Sequence, residues 1–267
     1  MSFYLKAAAG CALALTLAAC RGSSSGDATP PVPPIPGLYT GQLPDGRDVH
    51  VVLTADLVAW GAASRMSNGE ATVFRTAYTF DGSHIQAQAD QLQGIPALPS
   101  GTSLSIAGTY GPDQIHGSLT VLSGGETQTM PFTLARVPAA PLSLGLANNV
   151  SPLDAYVSGT DGQTVLSTHL MFQVDGTTGQ VNNGAASPAA AGGSTSVLHG
   201  MFTSRNDCAA YNFNFSVGDP AAPGSSVLEG SAFQALVIPF GASGYVGFGL
   251  AANAQQAQKV VLLRKLN

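Results

Sequence analysis

Charge is scarce in this chain: Asp, Glu, Lys and Arg make up 9% of its 267 residues, with 10 basic against 15 acidic side chains and a formal net charge of −5. That excludes nucleic acid as a partner, because holding phosphates takes a basic stripe and these cations are scattered, clustering only weakly at Lys259, Arg264 and Lys265. Aromatics are also few, 7% of the residues with a single tryptophan. Carbohydrate clefts are usually rich in Trp and Tyr, and membrane-spanning barrels need aromatic girdles at both interfaces, so the composition argues against both. The lone Trp60 is expected to point inward and close one end of a barrel. Stretches rich in Lys, Glu and Leu, which build helices, are missing as well.

Recognisable catalytic and metal-binding patterns are absent too. The five histidines, His50, His84, His116, His169 and His199, are widely spaced, with no His-Glu-x-x-His and no histidine pair at i, i+2 or i, i+4. Each is expected to be an exposed or edge-strand residue, and neither metal nor cofactor is expected. No serine precedes a lysine by three. The only Gly-x-Ser-x-Gly, Gly22 to Gly26, has no strand before it and no helix after it, so it is not a hydrolase elbow. Asp81, Asp113, Asp161 and Asp175 each adjoin Gly or Pro, which marks turns rather than acids and bases. No catalytic residue is assigned, and the chain is read as a non-enzyme.

What the sequence does contain begins at its N-terminus. Lys6 supplies a positive charge, Ala7 to Leu17 forms an apolar run of signal-peptide length that is too short to span a membrane, and Ala18 and Ala19 are small residues just before Cys20. Leu17-Ala18-Ala19-Cys20 resembles the lipobox of bacterial lipoproteins. The resemblance implies cleavage between Ala19 and Cys20 and attachment of diacylglycerol to the Cys20 sulfur, so that the lipid bilayer becomes a partner. Acyl chains contribute about 0.8 kcal/mol per buried methylene, so more than one makes a lasting anchor. Arg21, rather than Asp, follows the cysteine, which in that family implies the outer membrane. Cys11 leaves with the leader and Cys20 takes the lipid; Cys208 then remains alone, without a disulfide partner, and is expected to be a small buried hydrophobe.

The organisation expected from these signals is a signal peptide over 1–19, a lipid anchor and linker over 20–36, a first β-domain over 37–136, a short linker over 137–144 and a second β-domain over 145–267. Pro30, Pro31, Pro33, Pro34 and Pro36 favour an extended stalk. From Gly37 onward, short apolar runs alternate with turn residues. Phe74, Thr76, Tyr78 and Phe80 share one strand face, Asp81-Gly82 turns the chain, and Ile85, Ala87 and Ala89 return on the same face. About eight strands fit between Gly37 and Arg136 as an up-and-down meander, closed as a barrel or open as a sandwich.

In the second block, Val165 to Val174, Val227 to Ile238, Tyr245 to Leu250 and Val260 to Leu266 read as strands. Tyr211, Phe213, Phe215 and Val217 form the clearest amphipathic one. Asn182 to Ser194 reads as a loop of Ala, Gly and Ser. The fold class expected is therefore all-β, two antiparallel domains that are each a small meander barrel or sandwich. Gly37-Leu38-Tyr39-Thr40-Gly41, Asp175-Gly176 and Tyr211-Asn212-Phe213 resemble strand openings in bacterial lipoproteins built on small antiparallel barrels, such as the lobes of transferrin-binding protein B. The function expected is a membrane-anchored binding or interaction module at the cell envelope, facing the periplasm or the cell surface, with an envelope protein or a small ligand as partner. The alternatives are a structural envelope-maintenance lipoprotein or a carbohydrate-active enzyme.

Overall fold

The computed structural model describes residues 34, 36–65, 67–111, 113–138, 142–159, 161–188, 194–218, 228–240, 244–251 and 260–265. All of them belong to one compact unit, Pro31–Asn267. The fold is all-β, two closed antiparallel barrels. Ala19, Cys20 and the leader lie outside the described residues, as does the linker except for Pro34 and Pro36.

The first barrel is built from β1 (Gly37–Gln42), β2 (Asp48–Leu53), β3 (Val58–Arg65), β4 (Glu70–Phe80), β5 (His84–Gln88), β6 (Gln91–Ile95), β7 (Ser103–Tyr110), β8 (Gln114–Ser123) and β9 (Glu126–Arg136). These nine strands fill eight places in the ring. The end of β4 pairs with β5 and its beginning with β6, so β5 and β6 share one place as the two halves of a broken strand. Pairing of β3 with β4 and of β1 with β9 closes the circle. Short turns join neighbours throughout, and the Asp81-Gly82 turn sets the register Phe80↔Ile85 and Tyr78↔Ala87 that the alternation implied.

The second barrel runs β10 (Leu153–Ser158), β11 (Val165–Val174), β12 (Val181–Pro188), β13 (Ser196–Arg205), β14 (Ala210–Val217), β15 (Ser231–Phe240), β16 (Gly244–Ala251) and β17 (Val260–Lys265), closed by β10 on β17. A 3₁₀ helix, Leu144–Val150, enters it and contributes Ala147 and Val150 to the core. The Asn148 side chain pairs with both backbone groups of Val174, which ties that helix to β11. One sequence expectation is overturned here: β12 occupies the first half of the segment read as an Asn182 to Ser194 loop. Strand pairing is made by backbone groups, and Gly184, Ala185 and Ala186 fit between β11 and β13 without the large alternating side chains by which strands are recognised.

The barrels pack outer wall against outer wall. Leu38, Val52, Ala62, Ala71, Val73 and Ile95 of the first meet Cys208, Ala210, Leu236, Ile238, Val246, Phe248, Leu250, Val260 and Leu262 of the second in one apolar cluster. Polar contacts frame it: Ala55 N–H donates to Asp207 Oδ2 at 3.3 Å, the Ser158 hydroxyl to the Gly94 carbonyl at 3.1 Å, and Ala97 N–H to the Gly162 carbonyl at 2.8 Å.

His50 corrects a second expectation. It takes an outward position on β2, yet it is 1% exposed, because the outer wall around it is covered. Burial lowers its pKa to about 4, with Asp48 opposing the shift. The folded protein thus disfavours the charged ring. Its contribution to stability is complete above the ordinary histidine value near 6.5 and is lost as the pH falls from there towards 4, a loss on the order of 3 kcal/mol. Urea unfolding at pH 7.5 and pH 4.5 is expected to show that difference, and His50→Gln to flatten it; a His50→Gln profile as steep as the native one would assign the acid sensitivity elsewhere.

Candidate functional site

The two barrels are built on the same plan and filled differently. Inside the second, Phe202 and Phe213 stack across β13 and β14 with ring centroids 4.1 Å apart. Phe213 stacks on Phe215 at 4.6 Å, Phe215 on Phe233 at 5.3 Å, and Phe172 packs against both Phe202 and Phe213 at 5.5 Å. Those five rings form one continuous cluster in its core. Inside the first, many inward positions carry very small residues: Gly41 on β1, Ala59, Gly61 and Ala63 on β3, Ala87 on β5, Gly108 on β7 and Gly117 on β8. Neighbours pack directly against Gly41, Gly61 and Gly117, whereas Ala59, Ala63, Ala87 and Gly108 line a cavity of about 220 Å³.

Its wall is apolar, with Val49, Val51, Phe74, Ile85, Ile106 and Leu119 among the side chains that line it. Gly61 is required by that packing, since a Cβ there would overlap the Phe74 ring. At the end bearing the β2–β3, β4–β5 and β7–β8 turns, tyrosines plug the barrel. Tyr39 and Tyr78 are buried, the Tyr39 hydroxyl is hydrogen-bonded to Tyr110, and Phe80 meets Tyr110 edge to face at 5.8 Å. Burial raises the Tyr39 phenol well above its ordinary value, assisted by Tyr110, and pushes Tyr78 up to about 12. Both phenols are neutral at any physiological pH, and the guanidinium-bearing Arg136 stands opposite Tyr39 on β9 at this end.

The polar lining groups cluster at the opposite end, where Arg47, Thr72, Thr102 and Gln128 sit with Leu43, Leu92, Leu98 and Val121. Arg47 is paired with Asp45 at 2.8 Å, and its Nη2 also lies 3.9 Å from Met130 Sδ. Partial burial works to raise the Asp45 pKa, but the hydrogen bonds and charge of Arg47 outweigh it and hold the carboxyl below its ordinary value. The site is therefore an apolar chamber with a tyrosine floor next to Arg136 and a mouth of one salt-bridged arginine, two hydroxyls and an amide. Chemically it shelters hydrocarbon and solvates a polar end.

No protein-family model matches the chain, and no curated protein matches it. Among solved structures it is similar to a protein of unknown function from the DUF3598 family of Nostoc punctiforme, at 12% identity and a TM-score of 0.30, over 86% of this chain and 93% of that one.

The residues singled out by sequence fall away from the cavity. Trp60 points outward rather than closing a barrel end, because β3 turns Ala59, Gly61 and Ala63 inward and strict alternation sends Trp60 to the outer wall. There the Arg75 guanidinium lies over its ring at 5.4 Å. Cys208 is buried at the contact between barrels, and burial, with Asp207 beside it, pushes its thiol up to about 12, which makes it a packing residue rather than a nucleophile. Ser83 and Asp81 both approach His84 on the same ring nitrogen, Nδ1, at 3.0 and 3.1 Å. A relay to a nucleophile needs the two opposite nitrogens, so this trio is a turn contact. Among the described residues, no group of three or more His, Cys, Asp or Glu converges on a common point. The lining of the chamber was missed, although a signal was present: alternation whose inward member is Ala at 59, 63 and 87 puts little bulk inside the wall.

Proposed function

We propose that this chain is a lipid-anchored binding module of the bacterial cell envelope, tethered to the outer membrane through acylated Cys20, which carries a small apolar ligand in its first barrel without acting on it chemically. The observation that supports this most is the contrast between barrels: one core is filled by stacked rings, and the other keeps a 220 Å³ apolar chamber. An empty apolar cavity costs stability in proportion to its volume, so a chamber of this size suggests a use. At about 30 Å³ for each water-sized unit, it takes roughly seven carbons, the size of a short acyl chain or a small ring hydrocarbon. Burying that many methylenes at about 0.8 kcal/mol each corresponds to a gross gain near 6 kcal/mol, and polar groups at the mouth would add to it.

Two measurements test the two halves of the reading. Heptanol is expected to raise the melting temperature of the native protein and to leave that of Ala63→Phe, which fills the chamber, unchanged, while the variant alone melts level with the native protein or higher. A rise undiminished in Ala63→Phe would place the site elsewhere. For the tether, Cys20→Ala is expected to move the protein from the membrane to the soluble fraction; a variant that stays with the membrane removes the lipobox reading.

A further inference from the structure

The mouth of the chamber carries a hydrogen-bond donor that its own surroundings use only in part. Arg47 lies in the turn between β1 and β2, and Asp45 takes one edge of its guanidinium: the single oxygen Oδ2 accepts from Nε at 2.8 Å and from Nη2 at 2.8 Å. The next edge, made by Nη1 and the second N–H of Nη2, is a fork of the kind that binds a carboxylate through two parallel hydrogen bonds. On that edge Nη2 meets only Met130 Sδ, at 3.9 Å, and Nη1 has no hydrogen-bond partner among the described residues. A thioether is a weak acceptor, and Met130 is a buried residue of β9 that lines the chamber. The unused edge of the guanidinium therefore borders the cavity.

Two more polar groups at this end are uncommitted. Thr72, opposite Ala63 on β3, and Gln128, opposite Val121 on β8, both line the chamber, and neither side chain has a hydrogen-bond partner among the described residues. Thr102 differs, because its hydroxyl already donates to the Pro99 carbonyl at 2.7 Å and lies 3.0 Å from that of Ser123. Arg47 is the only charged side chain among the described residues that line the chamber. The free groups at the mouth are thus a guanidinium edge, a hydroxyl and an amide, next to an apolar wall.

Resting on the reading of the first barrel as a hydrocarbon chamber, we propose that its guest is an alkanoate, the anion of a straight-chain carboxylic acid of about seven carbons. Its tail lies toward the tyrosine end and its carboxylate lies across the Nη1–Nη2 edge of Arg47. A carboxylate brings two oxygens with about four acceptor positions and no donor, which matches a mouth whose strongest free group is a pair of cationic N–H donors. An alcohol of the same length offers one neutral oxygen, and an alkylammonium sets like charge against the guanidinium. Asp45 is the competitor within the chain, since it shares the charge of Arg47. Arg47 is therefore the residue that selects the head group, and the apolar wall selects the tail.

The test is calorimetric melting of the full chain in detergent-free buffer at neutral pH, with heptanoate, heptanol or heptylamine added over a range of concentrations, so that the rise in melting temperature gives each affinity. Heptanoate is expected to bind on the order of tenfold more tightly than heptanol, and protonated heptylamine more weakly than either. Arg47→Met is expected to bring heptanoate down to the level of heptanol. Asp45→Asn, which frees the guanidinium of its competitor, is expected to widen the preference for heptanoate by about threefold. A gain of that kind does not arise from a damaged fold, so it decides the matter even if Arg47→Met melts low on its own. Heptanoate no tighter than heptanol in the native protein overturns the proposal and leaves the chamber standing. A preference for heptanoate that survives Arg47→Met overturns it too, because the acid group would then be held elsewhere. If none of the three ligands raises the melting temperature, the chamber reading fails and this proposal falls with it.

Discussion

Ending the chain after Gln256 is expected to leave the second barrel unfolded. The truncation removes β17, which closes the ring by pairing with β10 on one side and β16 on the other. Its side chains serve two cores at once: Val261 and Leu263 point into the barrel, and Val260 and Leu262 point into the contact with the first barrel. Burial of each contributes about 1.5 to 3 kcal/mol, so together they approach the 5 to 15 kcal/mol by which a whole domain is usually stable. The strands left behind would also expose two edges of unpaired backbone, an invitation to aggregation that closed barrels avoid. Limited proteolysis should degrade the region after Val150 in the truncated chain at protease levels that spare the full one, and near-UV dichroism from the phenylalanine and tyrosine core should vanish. A truncated protein that melts like the full chain would show that β17 is an accessory strand.

Phe213→Ala is expected to cost about 3 to 5 kcal/mol, the upper range for a single core truncation. Phe213 is fully buried and is in contact with three other rings, Phe172, Phe202 and Phe215. Removing it leaves a void in a barrel whose wall is held rigid by hydrogen bonds all the way round, so the neighbours cannot collapse to fill it. Beyond its own buried area, each stacked pair it makes is worth about 0.5 to 1.5 kcal/mol. Urea denaturation should report the change as a lowered midpoint with an unchanged slope. A cost below about 1 kcal/mol would mean that the stack tolerates a gap.

How much of this was readable from residues alone follows from what a side chain can advertise. β4, β5 and β14 were legible because a large apolar residue recurs at every second position; Phe74, Tyr78 and Phe80, or Tyr211, Phe213 and Phe215, fix both the strand and its buried face. β12 was illegible for the opposite reason, its ladder being made by backbone around Gly184, Ala185 and Ala186. The 3₁₀ helix Leu144–Val150 has no charged residue at either end and no capping side chain, so nothing marks its boundaries. Trp60 was misplaced because its inward neighbours, Ala59 and Gly61, are small, and size alone suggested that the larger residue must be the interior one. The chamber escaped notice for the same cause: a hollow is signalled by residues that are missing bulk. His50 shows the limit most directly. Its burial follows from a second barrel lying over β2, and no pattern within β2 announces that neighbour.

The tyrosine floor beneath the chamber bears on timing as well as on fit. With Tyr39, Tyr78 and Tyr110 at one end, the proposed binding role would have a guest come and go through the end that holds Arg47, Leu98 and Thr102. Arrival and departure would then share a single barrier. A change confined to that passage would quicken or slow both directions by the same factor, so residence time would shift while occupancy at equilibrium stayed where it was.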